Sequence, residues 1–245
     1  VEPNEGFTVT LNSAINATIV TANADGTIQD DDGAPVAVRI NEFEPNQPGS
    51  SDPSTQSLEL IGTPGASFSG YFGTLEQDGN GGGLDRTGAI SGTFDSNGIL
   101  SVTIPDLENP SFTLFISEND PSGTSDFDLD GDGNIDSAAS VVSTLGILDA
   151  ISVIDAAGDA NNYATDLGGT QLAAIPTGVS SEPELIFRDA ITGDLYLVDV
   201  TDTGTGIIYD ASGAVVDASE FNVDPRIGST FGSVNPARVT GATLS

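Results

Sequence analysis

The apolar residues of this chain fall in short runs cut by glycine and proline, and long helical stripes are missing. Runs of that kind suit strands that turn back on one another. With 30 glycines and 13 prolines in 245 residues, of which 37% are hydrophobic, the sequence reads as a folded, turn-rich, all-β protein. Its length suffices for one large or two modest domains, each with its own core.

Along the chain, "EGFTVTL" alternates Phe7, Val9 and Leu11 with polar residues, and "NATIVTA" runs on into "GTIQDDDG". Two short strands ending in acids are expected. "GAP" at 33–35 interrupts the pattern and marks a domain boundary, after which "VAVRINEF", "SLELI", "GYFGTLE", "GILSVTI" and "FTLFI" are strand candidates. "DGNGGGLDRTG" (78–88) is expected to be a surface loop, and Asn97-Gly98 a hairpin turn with positive φ at both central residues. "VVSTLGILDAISVID" allows a helical turn before a strand ending near Asp155; "PELIF", "LYLVDV", "GIIYD" and "GAVVD" complete the strand set. Many short strands with regular turns predict a β-sandwich, and no fixed period points to a solenoid or propeller.

Thirty-seven acids face five bases, all arginine, for a formal net charge of -32. Such a surface repels phosphate backbones and anionic lipid headgroups, so nucleic acid is not expected as a direct partner. No stretch reaches the length of a membrane span, and membrane insertion is not expected. A chain opening on Val1 is expected to be a mature or trimmed product whose export signal, if any, is already gone. Cysteine and histidine are both absent. Neither disulfides nor thiolate or imidazole metal sites can brace the fold, and any cation must be held by oxygen.

"DFDLDGDGNID" (126–136) places five aspartates in eleven positions. Carboxylates so close repel unless a cation sits among them, which leaves a solvated acidic turn or a cation site. Counted from Asp128, the residues Asp128, Asp130, Asp132, Gly133, Asn134 and Asp136 stand at positions 1, 3, 5, 6, 7 and 9 of an EF-hand-like calcium loop. Alternate side chains of such a loop turn inward, and the glycine permits the bend. Position 12, where a bidentate Glu belongs, is Ala139, and Asp126 is a candidate to complete the shell. The expected cofactor is Ca²⁺. A second acidic stretch, Asp30, Asp31 and Asp32, reads from charge alone as a solvated linker.

Catalytic chemistry has little to build on. Without His, Cys or Lys the usual bases and activated nucleophiles are missing, and no pair of carboxylates stands out from the general excess. The glycines of 78–84 neither precede a helix nor carry the lysine of a phosphate loop. No Trp and only four Tyr are available for stacking on sugars, which weakens a carbohydrate-binding reading.

Residues 1–33, with "EGFTVTL" and "GTIQDDD", resemble the closing two strands of a Calx-β domain. That resemblance implies that Asp30, Asp31 and Asp32 help hold calcium. Residues 36–240 resemble the lamin-tail-like domains of secreted bacterial proteins, through "VRINEFEPN", "SLELIG", "FTLFISEND", "FDLDGDGNID" and "DAISVID". This implies an immunoglobulin-like β-sandwich with an inserted calcium loop. Two strands cannot bury a core alone, so residues 1–33 belong to a longer protein or donate strands to another copy. The expected function is non-enzymatic: an extracellular calcium-binding protein of the cell surface, acting in adhesion or filament assembly through self-association or another surface protein. The alternative is an accessory domain of a secreted nuclease or phosphatase.

Overall fold

The computed structural model describes residues 5–28, 37–47, 53–78, 81–107, 109–175, 182–199 and 204–239. The chain divides into two compact units, Val1–Val36 and Ala37–Ser245.

In the first unit, β1 (Glu5–Thr10) and β2 (Asn23–Ile28) pair antiparallel. Phe7 stands opposite Gly26, and its ring occupies the space that a Cβ there would need. Phe7, Val9 and Leu11 remain more than half exposed.

The second unit contains β3 (Arg39–Phe43), β4 (Thr55–Ile61), β5 (Ser67–Glu76), β6 (Leu84–Thr93), β7 (Ile99–Pro105) and β8 (Phe112–Ser117). There follow α1 (Ala138–Leu145), β9 (Ile147–Val153), α2 (Tyr163–Asp166), β10 (Thr170–Gln171), β11 (Leu185–Arg188), β12 (Leu195–Asp199), β13 (Ile207–Asp210) and β14 (Val215–Val216). The strands form a seven-stranded sheet, β14-β13-β12-β11-β3-β4-β7, and a five-stranded sheet, β10-β9-β8-β5-β6. Only β9 and β10 pair parallel among these neighbours.

The two sheets face each other over a shared core, so the unit is an all-β sandwich. Ile40, Phe43, Leu58 and Leu60 from the seven-stranded sheet meet Phe72, Leu114, Ile116 and Ile151 from the other. The Phe43 and Phe112 rings lie 6.5 Å apart across the gap. Successive side chains point to opposite faces, and β8, β11 and β12 are buried on both, because two further apolar clusters cover their outer sides. One ionic contact also joins the sheets: Asp149 Oδ2 on β9 accepts from Ile40 N (3.0 Å) and Arg188 Nη2 (2.9 Å), while Arg188 Nε donates to the Ile40 carbonyl (2.9 Å).

Two turns differ from the sequence expectation. The glycine-rich stretch leaves its loop early, because Leu84 to Thr93 pairs with β5; Gly88 lies opposite Phe72, whose ring fills the place of the missing side chain. Asn97-Gly98 does turn the chain, but only Gly98 has positive φ (78°). Asp95 does the rest of the work there, accepting through Oδ1 from Asn97 N and Ile99 N, both at 2.8 Å. That side-chain cap lets Asn97 keep an ordinary backbone conformation.

Outside the five-stranded sheet, a second apolar cluster gathers Leu75, Phe115, Phe127, Ile135, Leu145, Tyr163, Ala164 and Leu167. It carries the acidic loop. No helix among the described residues is long and apolar enough to cross a membrane.

Candidate metal centre

The acidic loop is pinned at both ends by apolar side chains and backbone pairing. Phe127 and Ile135 are buried in the second cluster, with the Phe127 ring edge-on to Phe115 at 6.5 Å. Asp136 N donates to the Phe127 carbonyl (2.8 Å), closing the loop, and Phe127 N donates to Gly82 O (2.9 Å), fastening it to the β5–β6 connection. Between these anchors the chain must reverse within a few residues. Gly131 (φ 67°) and Gly133 (φ 81°) supply the left-handed backbone.

Asp128 is the fixed point of the site. It is 3% exposed, and its Oδ1 accepts from Asp132 N (3.1 Å) while Oδ2 accepts from Gly133 N (2.9 Å) and the Tyr163 hydroxyl (2.7 Å). Burial pushes the Asp128 carboxyl up, but these donors outweigh it and hold the group below the ordinary aspartate range. A charged carboxylate is thereby stabilised in place.

Asp130 and Asp132 are exposed and turn back to it, so that one carboxylate oxygen from each of Asp128, Asp130 and Asp132 lies within 4.8 Å of the others. The crowding shows in Asp130, which is pushed up chiefly by the neighbouring Asp132 charge. The charges that bear on Asp130 are all acidic, and the arginines are engaged elsewhere: Arg86 with Asp85, Arg188 with Asp149, Arg226 with Asp224 and Arg238 with Glu220, while Arg39 acts on Asp149.

The other loop residues serve the loop's own backbone. Asp126 Oδ1 accepts from Asp128 N (3.0 Å), Asp136 Oδ2 from Leu129 N (2.9 Å), and Asp132 Oδ1 from Asn134 N and Nδ2 (both 2.9 Å). Asn134 Oδ1 in turn accepts from Asn162 Nδ2 (2.8 Å). Asp126 and Asp136 therefore stand outside the three-carboxylate group, and the Asn134 amide is engaged with Asp132 and Asn162. Asp30, Asp31 and Asp32 lie outside the described residues.

Three supports were not visible in the sequence pattern. Tyr163 and Asn162 come from α2 and its approach, and Asp166 Oδ2 accepts from Ile135 N (2.8 Å). A second carboxylate group, Asp78, Asp155 and Asp159, also converges within 4.8 Å. The Ser111 hydroxyl reaches Asp155 Oδ1 (3.1 Å) and Asp159 Oδ2 (3.2 Å), and burial, with Asp155 alongside, pushes Asp159 up. Asp78 lies far along the chain from Asp155 and Asp159, so no local spacing could have revealed the group.

The donor set at Asp128, Asp130 and Asp132 is all oxygen, anionic and partly open to solvent, which fits a hard divalent cation of flexible coordination such as Ca²⁺. Magnesium demands stricter octahedral geometry. No family model, no curated protein and no solved structure matches this chain.

Proposed function

We propose that this is a non-enzymatic, extracellular calcium-binding β-sandwich protein that serves adhesion or the assembly of a surface filament or matrix. The observation that carries this reading is the convergence of Asp128, Asp130 and Asp132 around a buried, hydrogen-bonded Asp128. Asp128 would anchor the ion, and Asp130 and Asp132 would close on it from the solvent side. Binding would cancel the repulsion at Asp130 and couple ion occupancy to the stability of the surrounding cluster. The resemblances to Calx-β and lamin-tail-like domains favour the same setting, since calcium sites of this kind fill readily outside cells.

Self-association belongs to the proposal. The β1–β2 pair leaves Phe7, Val9 and Leu11 exposed by 51, 52 and 59%, and a second copy of the chain is the occupant that strand addition would bring. Deleting residues 1–33 should abolish assembly and leave the sandwich folded; a truncated chain that still polymerises ends this part of the reading.

For calcium, the test is a melting curve on protein first shown to be metal-loaded. Chelation should lower the melting temperature, and an unchanged curve rejects calcium as a structural element.

A further inference from the structure

The outer face of the seven-stranded sheet has two unlike halves. Over β11 to β14 it is apolar, with Phe187, Tyr196, Val198, Ile208, Val216 and Phe221 packed together. Over β3 and β4 it is acidic. An irregularity in β3 between Ile40 and Glu42 sets Glu42 directly opposite Glu59, and both side chains are buried, 1 and 0% exposed. Donors from the C-terminal stretch 230–235 reach both of them.

Each oxygen of Glu59 has its own donor: Oε1 accepts from Asn41 Nδ2 and Oε2 from Gly232 N, each at 2.6 Å, and these donors oppose the burial that pushes this carboxyl up. Glu42 differs. Its Oε1 accepts from Thr230 N (2.7 Å), while its Oε2 lies 3.0 Å from Thr230 Oγ1, which also lies 3.0 Å from Asn235 Oδ1. The amide of Asn235 cannot be turned round, because its Nδ2 donates to the carbonyls of Asn41 (3.1 Å) and Arg188 (2.9 Å). Asn235 Oδ1 is therefore an acceptor. The Thr230 hydroxyl has one proton and cannot satisfy two acceptors. An ionised Glu42 leaves a buried oxygen unmet, whereas a Glu42 protonated on Oε2 donates to Thr230 Oγ1 and frees that hydroxyl to donate to Asn235 Oδ1.

The charges around Glu42 act in the same direction. Glu59 on β4 and Glu44 on β3 both oppose ionisation, and Asp95 in the β6–β7 turn bears on Glu59. On β11 the residue opposite Glu42 is Phe187, and Arg188 is held by Asp149. The segment 228–236 contains no titratable side chain. Burial is the largest influence on Glu42 and, against the Thr230 donors, pushes it up to about 7.

We propose that Glu42 is a carboxylic acid in the folded protein and acts as a proton-dependent latch: protonated, it seats the segment 230–235 on the sheet, and on losing its proton it releases that segment and uncovers the acidic half of the face.

The amides of Thr230 and Gly232 donate directly to Glu42 and Glu59, so their hydrogen exchange reads the latch. Corrected for intrinsic rates, their protection should fall about tenfold or more between about pH 5.5 and about pH 8.5 in the full chain. In Glu42→Gln, whose amide reproduces the donor and acceptor of the neutral acid, the fall should vanish. Protection that is flat in the wild type, or a fall unchanged in Glu42→Gln, overturns the proposal. Should that variant misfold, the Glu42 carboxyl carbon followed by NMR in the wild type decides: a midpoint near neutrality supports the latch, and one in the ordinary glutamate range refutes it.

Discussion

The Tyr163 hydroxyl donates to Asp128 Oδ2 at 2.7 Å, joining α2 to the first acid of a loop that lies 35 positions earlier. Both groups are buried, so the bond orients a charge that little water reaches. Tyr163→Phe should cost about 1–2 kcal/mol of stability and weaken calcium binding, because Asp128 then lacks the donor that fixes its second oxygen. Denaturant unfolding with and without calcium measures both effects.

Asp130 supplies a test by sign. It is exposed and carries the repulsion of Asp132, Asp136 and Asp128. Asp130→Asn should leave metal-stripped protein as stable as the wild type or more so, and should lower calcium affinity on the order of tenfold. A solvated acidic turn would show the first effect alone.

Stability should depend on pH in two windows. Glu42 is raised from 4.5 to about 7, so its contribution is complete below about pH 4.5 and is lost as pH climbs to about 7, a change of about 3 kcal/mol. Asp95, Asp120, Asp210, Asp217 and Asp224 are held low, by Ile99 N, Ser122 N, the Ser212 hydroxyl, Ser219 N and the Arg226 side chain respectively. Their contributions stand above about pH 4 and are lost as pH falls. Metal-stripped protein should therefore be most stable between about pH 4 and 5, and Glu42→Gln should make the limb above that range shallower, the remainder belonging to Glu59, Asp149 and Asp159, which burial also pushes up. Unfolding free energies across a pH series provide the check.

Strands were legible where short apolar runs stand between turn residues, as in "SLELI" and "FTLFI"; β8 is buried throughout because Leu114 and Ile116 face the shared core and Phe115 faces the second cluster. The start of β6 was hidden, since Gly88 closes a stretch that reads as a loop while in the fold it makes room for Phe72. The acidic loop was legible because Asp128, Asp130 and Asp132 are local in sequence and their spacing brings them to one point. Tyr163, Asp166 and the Asp78, Asp155 and Asp159 group depend on contacts between distant segments, which no spacing rule contains. Asn97-Gly98 was right in place and wrong in geometry, because Asp95 could be recognised as a cap only once the turn was formed.

The ion pair between Asp149 and Arg188 ties the two sheets through Ile40. Burial pushes Asp149 up and Arg188 down, each against the pull of its partner. Arg188→Met should cost roughly 3–5 kcal/mol, since it strands a buried carboxylate. Adding Asp149→Leu should recover part of that loss, a non-additivity that a double-mutant cycle reads directly.

The central claim concerns a cation among Asp128, Asp130 and Asp132, and a calcium titration of isotope-labelled protein followed at individual amides tests it most directly. The account predicts saturable shifts confined to residues 126–136 and the Tyr163 region, abolished by Asp132→Asn. Amides there that stay still up to about 10 mM calcium, beyond the range of extracellular sites, would contradict it.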